Sequence, residues 1–235
     1  MTAETKLPWM EHDAYREVTA YPETYDAERF SLRQLRSAAE KAMVLFRGWP
    51  FIFVDRDGRE TRAYNSRVET EADHSSFRGY PSFERWELHQ SGLFFHKILM
   101  DEDSHTGTRQ QGKVIGFTFT IYHVAEAIGS LWRLYQALEL PESELLSIEF
   151  RYTDMYTRKL ETLDPRRASI WTSRPCNEPE VGRRRQLPLA EWRASDADIA
   201  AQILVELFER FGWDDPNLAV IQKMTHEFMA KPRFS

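Results

Sequence analysis

Ile121, Val124, Ile128, Leu131, Tyr135 and Leu138 recur at three- and four-residue steps, the strongest helical period in the chain. After a turn at Glu139 to Ser143 the period changes. Ile148, Phe150 and Tyr152 alternate with Glu149, Arg151 and Thr153, as a strand with one buried face requires. A chain that changes period in this way must pack helices against a sheet. The other segments agree. Ser31 and Gln34 have the spacing of a capping box, and Phe30 with Leu35 that of a hydrophobic staple, so a helix starts at Ser31 and runs to Gly48. Ser195 before Ile199, Ile203 and Leu207 opens another helix, and Asp215-Pro216 a last one reaching about Met229.

Strand signals fall between them. Phe51 to Val54, a turn at Asp57-Gly58 and a segment to Val68 read as one hairpin. Phe83 to His89 and Leu93 to Met100, joined across Gln90, Ser91 and Gly92, read as a second. Val114 to Thr120 continues an apolar alternation, and shorter extended pieces are expected at Ser169 to Thr172 and Arg184 to Leu189. The expectation is an α+β fold, a mainly antiparallel sheet of hairpins packed by about four helices. Residues 1 to 30 hold no sustained period and read as an N-terminal arm; residues 31 to 235 read as a single α+β domain. Trp9, Tyr15, Tyr21 and Tyr25 are then aromatics on a polar arm, placed to dock on their own domain or on a partner.

Composition limits the function classes. No apolar run approaches the roughly twenty residues of a membrane helix, and the first residues are charged, so a cytoplasmic protein without membrane contact is expected. Cys176 stands alone, which excludes an intrachain disulfide and a multi-cysteine metal site. No cofactor is expected. A formal charge of −6 opposes a general nucleic-acid coat. Between Arg151 and Arg193, however, ten Lys or Arg meet six Asp or Glu, leaving +4. Nucleic acid could be reached only through that local basic region.

Catalytic signatures are missing: there is no phosphate-cradling glycine loop, no Gly-x-Ser-x-Gly and no His-Glu-x-x-His. No catalytic residue is assigned. The main candidate cluster is Glu87, His89 and His96 on the second hairpin. With a two-residue Ser91-Gly92 turn, Glu87 faces His96 and two imidazoles and a carboxylate converge, as metal ligands or as an acid/base pair. With a three-residue loop, Trp86 faces His96 and the cluster dissolves, because a one-residue slip exchanges faces. Asp101, Glu102, Asp103 and His105 offer hard ligands for a divalent cation, or simply a solvated acidic loop. Arg183, Arg184 and Arg185, with Arg166, Arg167 and Arg174, could grip phosphates, or pair with carboxylates of the protein or a partner.

Gly48-Trp49-Pro50-Phe51, Phe83 to Trp86 with Ser91-Gly92-Leu93-Phe94, and Ala125-Glu126-Ala127 with Leu134-Tyr135 carry a family resemblance. In that order they are similar to the C-terminal module that follows the DNA-binding domain in many prokaryotic schlafen-type, AlbA-like proteins, over about residues 31 to 211. The resemblance implies an α+β module for sensing or assembly. Residues 1 to 30 leave no room for the family's DNA-binding domain, so DNA binding and catalytic residues do not carry over. The leading expectation is therefore a non-enzymatic binding or regulatory module acting with a protein partner or a second copy, in a nucleic-acid-processing complex. The alternatives are a metal-dependent hydrolase of phosphate esters, and a small-ligand sensor whose pocket lies between the sheet and the helix at 121 to 138.

Overall fold

The computed structural model describes residues 14–54, 61–75, 82–104, 113–162 and 174–230. Its strands are β1 (Tyr15–Pro22), β2 (Thr61–Ala63), β3 (Arg67–Asp73), β4 (Phe83–His89), β5 (Phe94–Leu99), β6 (Val114–Gly116), β7 (Leu145–Thr153), β8 (Lys159–Glu161) and β9 (Glu180–Pro188). The helices are α1 (Leu32–Ala42), α2 (Asp101–Ser104), α3 (Phe117–Ala137), α4 (Leu189–Ala194), α5 (Asp196–Phe208) and α6 (Leu218–Met229). Seven strands form one sheet in the order β2-β3-β4-β5-β1-β7-β9. Every neighbouring pair is antiparallel, and β6 and β8 form a separate parallel pair. The fold is α+β.

Residues 15 to 22 are not part of an arm. β1 lies inside the sheet between β5 and β7, with Val18 opposite both His96 and Phe150. Its charged residues obscure the strand pattern, since Arg16 and Glu17 are buried on opposite faces and neutralised by Glu102 and by Lys97 with Arg151. Tyr15 is accordingly buried and Tyr21 half-buried, while Tyr25 is 78% exposed. Trp9 lies outside the described residues.

One face of the sheet carries Val68, Trp86, Leu88, Phe94, Val18, Ile148 and Phe150 and is roofed by helices. α3 is the central roof helix, with α1 and α5 beside it and α6 packed on α3 and α5. The capping box at Ser31 and Gln34 is present. Its helix stops at Ala42 rather than Gly48, because Val44 bonds back to Phe51 as an isolated bridge. Phe51 therefore does not start the first hairpin. That hairpin is β2 with β3, and Asp57-Gly58 lies outside the described residues. The helix beyond β6 begins at Phe117, four residues earlier than its apolar period. α6 begins at Leu218, where the Asn217 side chain accepts the Val220 N–H, rather than at Asp215-Pro216.

The opposite face of the sheet carries ion pairs, including Arg85 with Glu87 at 2.5 Å, Arg67 with Glu69 at 2.7 Å and Lys97 with Glu17 at 3.1 Å. The β4–β5 turn uses three residues, 90 to 92, with His89 N–H bonded to Leu93 O. Gly92 sits at φ +87°, and an added Cβ would lie 3.1 Å from Phe30 and 3.2 Å from Pro22. Gly92→Ala is thus expected to lower the unfolding free energy by about 1–2 kcal/mol. Urea denaturation checks this; an unchanged midpoint would show that the turn tolerates a side chain.

Candidate functional site

The three-residue turn decides the second hairpin. Trp86 faces His96 and Glu87 faces Phe95. Glu87 and His89 stay together on the ion-paired face, 3.1 Å apart, whereas His96 points into the protein and is fully buried. The expected metal triad Glu87, His89 and His96 is not assembled. Among the described residues no group of three or more His, Cys, Asp or Glu side chains is placed to hold a metal ion. The acidic segment is likewise structural where it is described. Glu102 is buried against Arg16, and Asp103 accepts from Arg158 at 2.8 and 2.6 Å; His105 lies outside the described residues.

The β9 arginines meet carboxylates of the chain itself. Arg183 and Arg185 both pair with Glu206 of α5, from the roofed face, and Arg184 reaches Glu23 at 2.9 Å from the other. Arg166 and Arg167 lie outside the described residues. The thiol of Cys176 is buried, and that burial pushes its pKa up, away from nucleophilic reactivity.

A different cluster occupies the space between sheet and roof. Neighbouring strands present Arg16, Glu84, His96 and Tyr152 on the roofed face, and α3 sets His123 and Glu126 above them. His96 Nε2 lies 3.1 Å from Glu84 Oε1, and His123 Nδ1 lies 3.2 Å from the Tyr152 hydroxyl. The two imidazole centroids are 6.3 Å apart. Arg47 donates to both oxygens of buried Glu126, at 2.9 and 2.6 Å. Arg16 donates to Glu102 Oε1 at 2.5 Å, and that oxygen also accepts the Gly116 N–H at 2.6 Å.

Buried polar groups are normally all hydrogen-bonded. Here four buried atoms have no partner: Arg16 Nε, His96 Nδ1, Glu102 Oε2 and His123 Nε2. They share one neighbourhood, since Arg16 faces Tyr152 across β1 and β7, and both Arg16 and Glu102 act electrostatically on that phenol.

The electrostatics follow from burial. His123 is pushed well below the ordinary imidazole value, first by burial and then by the positive charges of Arg16, His96 and Arg47. Burial pushes the Tyr152 phenol up, keeping its proton on. For Glu84 burial acts upward, but hydrogen bonds from His74 and His96 outweigh it and hold the carboxylate below the usual range. Burial raises Glu126 despite Arg47. The cluster therefore holds His123 neutral among charged side chains.

His123 has a measurable consequence for stability. On unfolding it regains its ordinary value of 6.5, so below that pH the unfolded chain binds a proton that the folded chain refuses. Its contribution is intact above 6.5 and is lost as pH falls, by up to about 1.4 kcal/mol per pH unit. His123→Gln is expected to flatten the fall in stability between pH 7 and pH 5.5. Equal slopes for variant and parent would mean that folded His123 titrates normally.

The chain matches no protein-family model, no curated protein and no solved structure in comparison with each. No helix among the described residues is long and apolar enough to cross a membrane.

Proposed function

We propose that this protein is a non-enzymatic sensor module that holds a small polar ligand at the buried polar cluster between the sheet and α3. The observation that carries this reading is the set of four unpartnered buried polar atoms on Arg16, His96, Glu102 and His123. Leaving one such group unsatisfied costs about 1–3 kcal/mol. A fold that gathers four of them in one place has a reason to admit something that bonds to them. The resemblance to schlafen-associated C-terminal modules, with its implication of sensing or assembly, agrees with this reading. A protein partner, or a second copy, would receive the signal.

The metal-dependent hydrolase reading required Glu87, His89 and His96 to converge, and the register of the second hairpin keeps His96 apart from the other two. Nucleic-acid contact through the basic region is also weakened, because Arg183, Arg184 and Arg185 are already matched to Glu206 and Glu23.

Native mass spectrometry of the purified protein, before and after denaturation, tests the proposal. A small molecule released on unfolding, and missing from His96→Leu and His123→Leu, is the expected result. A chain of bare sequence mass, with no thermal shift from any compound in a library of small polar metabolites, would overturn it.

A further inference from the structure

We infer that the sheet face turned away from the helices carries a second binding site, a pocket that takes a planar aromatic carboxylate. The pocket has a volume of about 260 Å³ and is bounded by Phe83, Arg85 and Glu87 of β4, Phe95 and Lys97 of β5, and Tyr15 at the start of β1. Glu84 also borders it, but its carboxylate is held on the roofed face, 3.1 Å from His96 Nε2. Strand register explains why these side chains meet. Arg85 and Glu87 lie opposite Lys97 and Phe95, Phe83 precedes Arg85 by two residues on the same face, and Tyr15 lies opposite Leu99, two residues beyond Lys97. Aromatic rings thus stand on both sides of a central pair of cations.

That pair decides the class of ligand. Like charges directly opposite on neighbouring strands destabilise a sheet, yet Arg85 and Lys97 face each other across β4 and β5. Their carboxylates lie to either side: Glu71 of β3 stands opposite Arg85 at 3.8 Å, Glu17 of β1 opposite Lys97 at 3.1 Å, and Glu87 takes an Arg85 nitrogen at 2.5 Å. Of the charges turned to the pocket, Arg85 and Lys97 are positive and Glu87 alone is negative. An anion between the two cations would relieve their repulsion and gain charge-assisted hydrogen bonds from both. A cation would add to the repulsion. The rest of the wall sets the shape. Phe83, Phe95 and Tyr15 offer ring surface, against which a further ring packs offset or edge-on. The Lys97 ammonium already lies 3.9 Å from the centre of the Tyr15 ring, which fixes cation and apolar wall side by side. Pockets for drug-sized ligands run to roughly 300–1,000 Å³, so this smaller one suits a single ring system.

Calorimetric titration of the purified chain with benzoate tests this, with benzyl alcohol, benzylamine and cyclohexanecarboxylate as comparisons. Saturable benzoate binding at millimolar concentration is expected, about tenfold tighter than that of each comparison compound. Lys97→Gln should weaken benzoate about tenfold and leave the weak benzyl alcohol response as it was, whereas Phe95→Leu should weaken both. Circular dichroism confirms that each variant is folded, and Arg85→Gln repeats the test at the second cation. Benzylamine preferred to benzoate, or benzyl alcohol equal to it, would overturn the anion. Cyclohexanecarboxylate equal to benzoate would overturn the selection for a ring. Benzoate affinity kept in Lys97→Gln and Arg85→Gln but lost in His123→Leu would move the anion to the roofed side of the sheet and overturn this site. Binding of none of the four probes removes the site and leaves the buried cluster between the sheet and α3 to its own test.

Discussion

Replacement of Arg16 by methionine is expected to destabilise the folded protein by about 3–5 kcal/mol. The guanidinium and the Glu102 carboxylate are both nearly inaccessible to water, and the pair stands at 2.5 Å. Methionine fills much of the same volume but leaves the buried carboxylate without its charged partner. Adding Glu102→Gln in the same chain should return part of the loss, because the remaining group is then neutral and still accepts the Gly116 N–H. Urea unfolding of the parent, both single variants and the double variant gives the coupling directly. A single Arg16→Met chain as stable as the parent would show that water reaches Glu102.

Trp86→Ala should cost a comparable amount, about 3–5 kcal/mol. Trp86 is fully buried in the middle of β4 and donates from Nε1 to Phe53 O at 2.6 Å. Truncation opens a cavity beside His96, its cross-strand neighbour, and strands the Phe53 carbonyl. Trp86→Phe separates the two contributions, since it restores most of the volume without the donor. Thermal unfolding of the three chains should rank them parent, Phe, Ala. A Phe variant no more stable than the Ala variant would place the whole effect in the hydrogen bond.

The sequence made local order legible and left the interior charges hidden. α1, α3, β4, β5 and β7 follow from periodicity, capping and turn signals, because their apolar residues recur at the helical or strand period. β1 does not. Arg16 and Glu17 sit where a strand pattern would show apolar residues, and only Glu102, Lys97 and Arg151, distant in sequence, make them tolerable. The polar residues between the sheet and α3 were missed for the same reason, although a pocket at that level was among the expectations. His123 and Glu126 stand three residues apart in a helix buried around much of its circumference, and that alone could have marked them, since such a helix has little solvated side. Their partners Arg47, Tyr152 and His96 come from three other segments, a juxtaposition that no local pattern encodes. For His96 itself, one turn residue mattered: the extra position in the loop at 90 to 92 sent it inward.

The central place of β1 also bears on how the chain acquires its structure. Both of its neighbours come much later in the sequence; Tyr15 N–H, for example, bonds to Thr153, 138 positions away. During synthesis β1 can pair with β5 once that strand has emerged, whereas its other edge stays bare until β7 leaves the ribosome. Such distant closure slows folding, and an unpaired strand in the interim invites pairing between molecules. Newly made chains should therefore depend on holding chaperones until about residue 153 is exposed, with the docking of β7 onto the bare edge of β1 as a late, slow event.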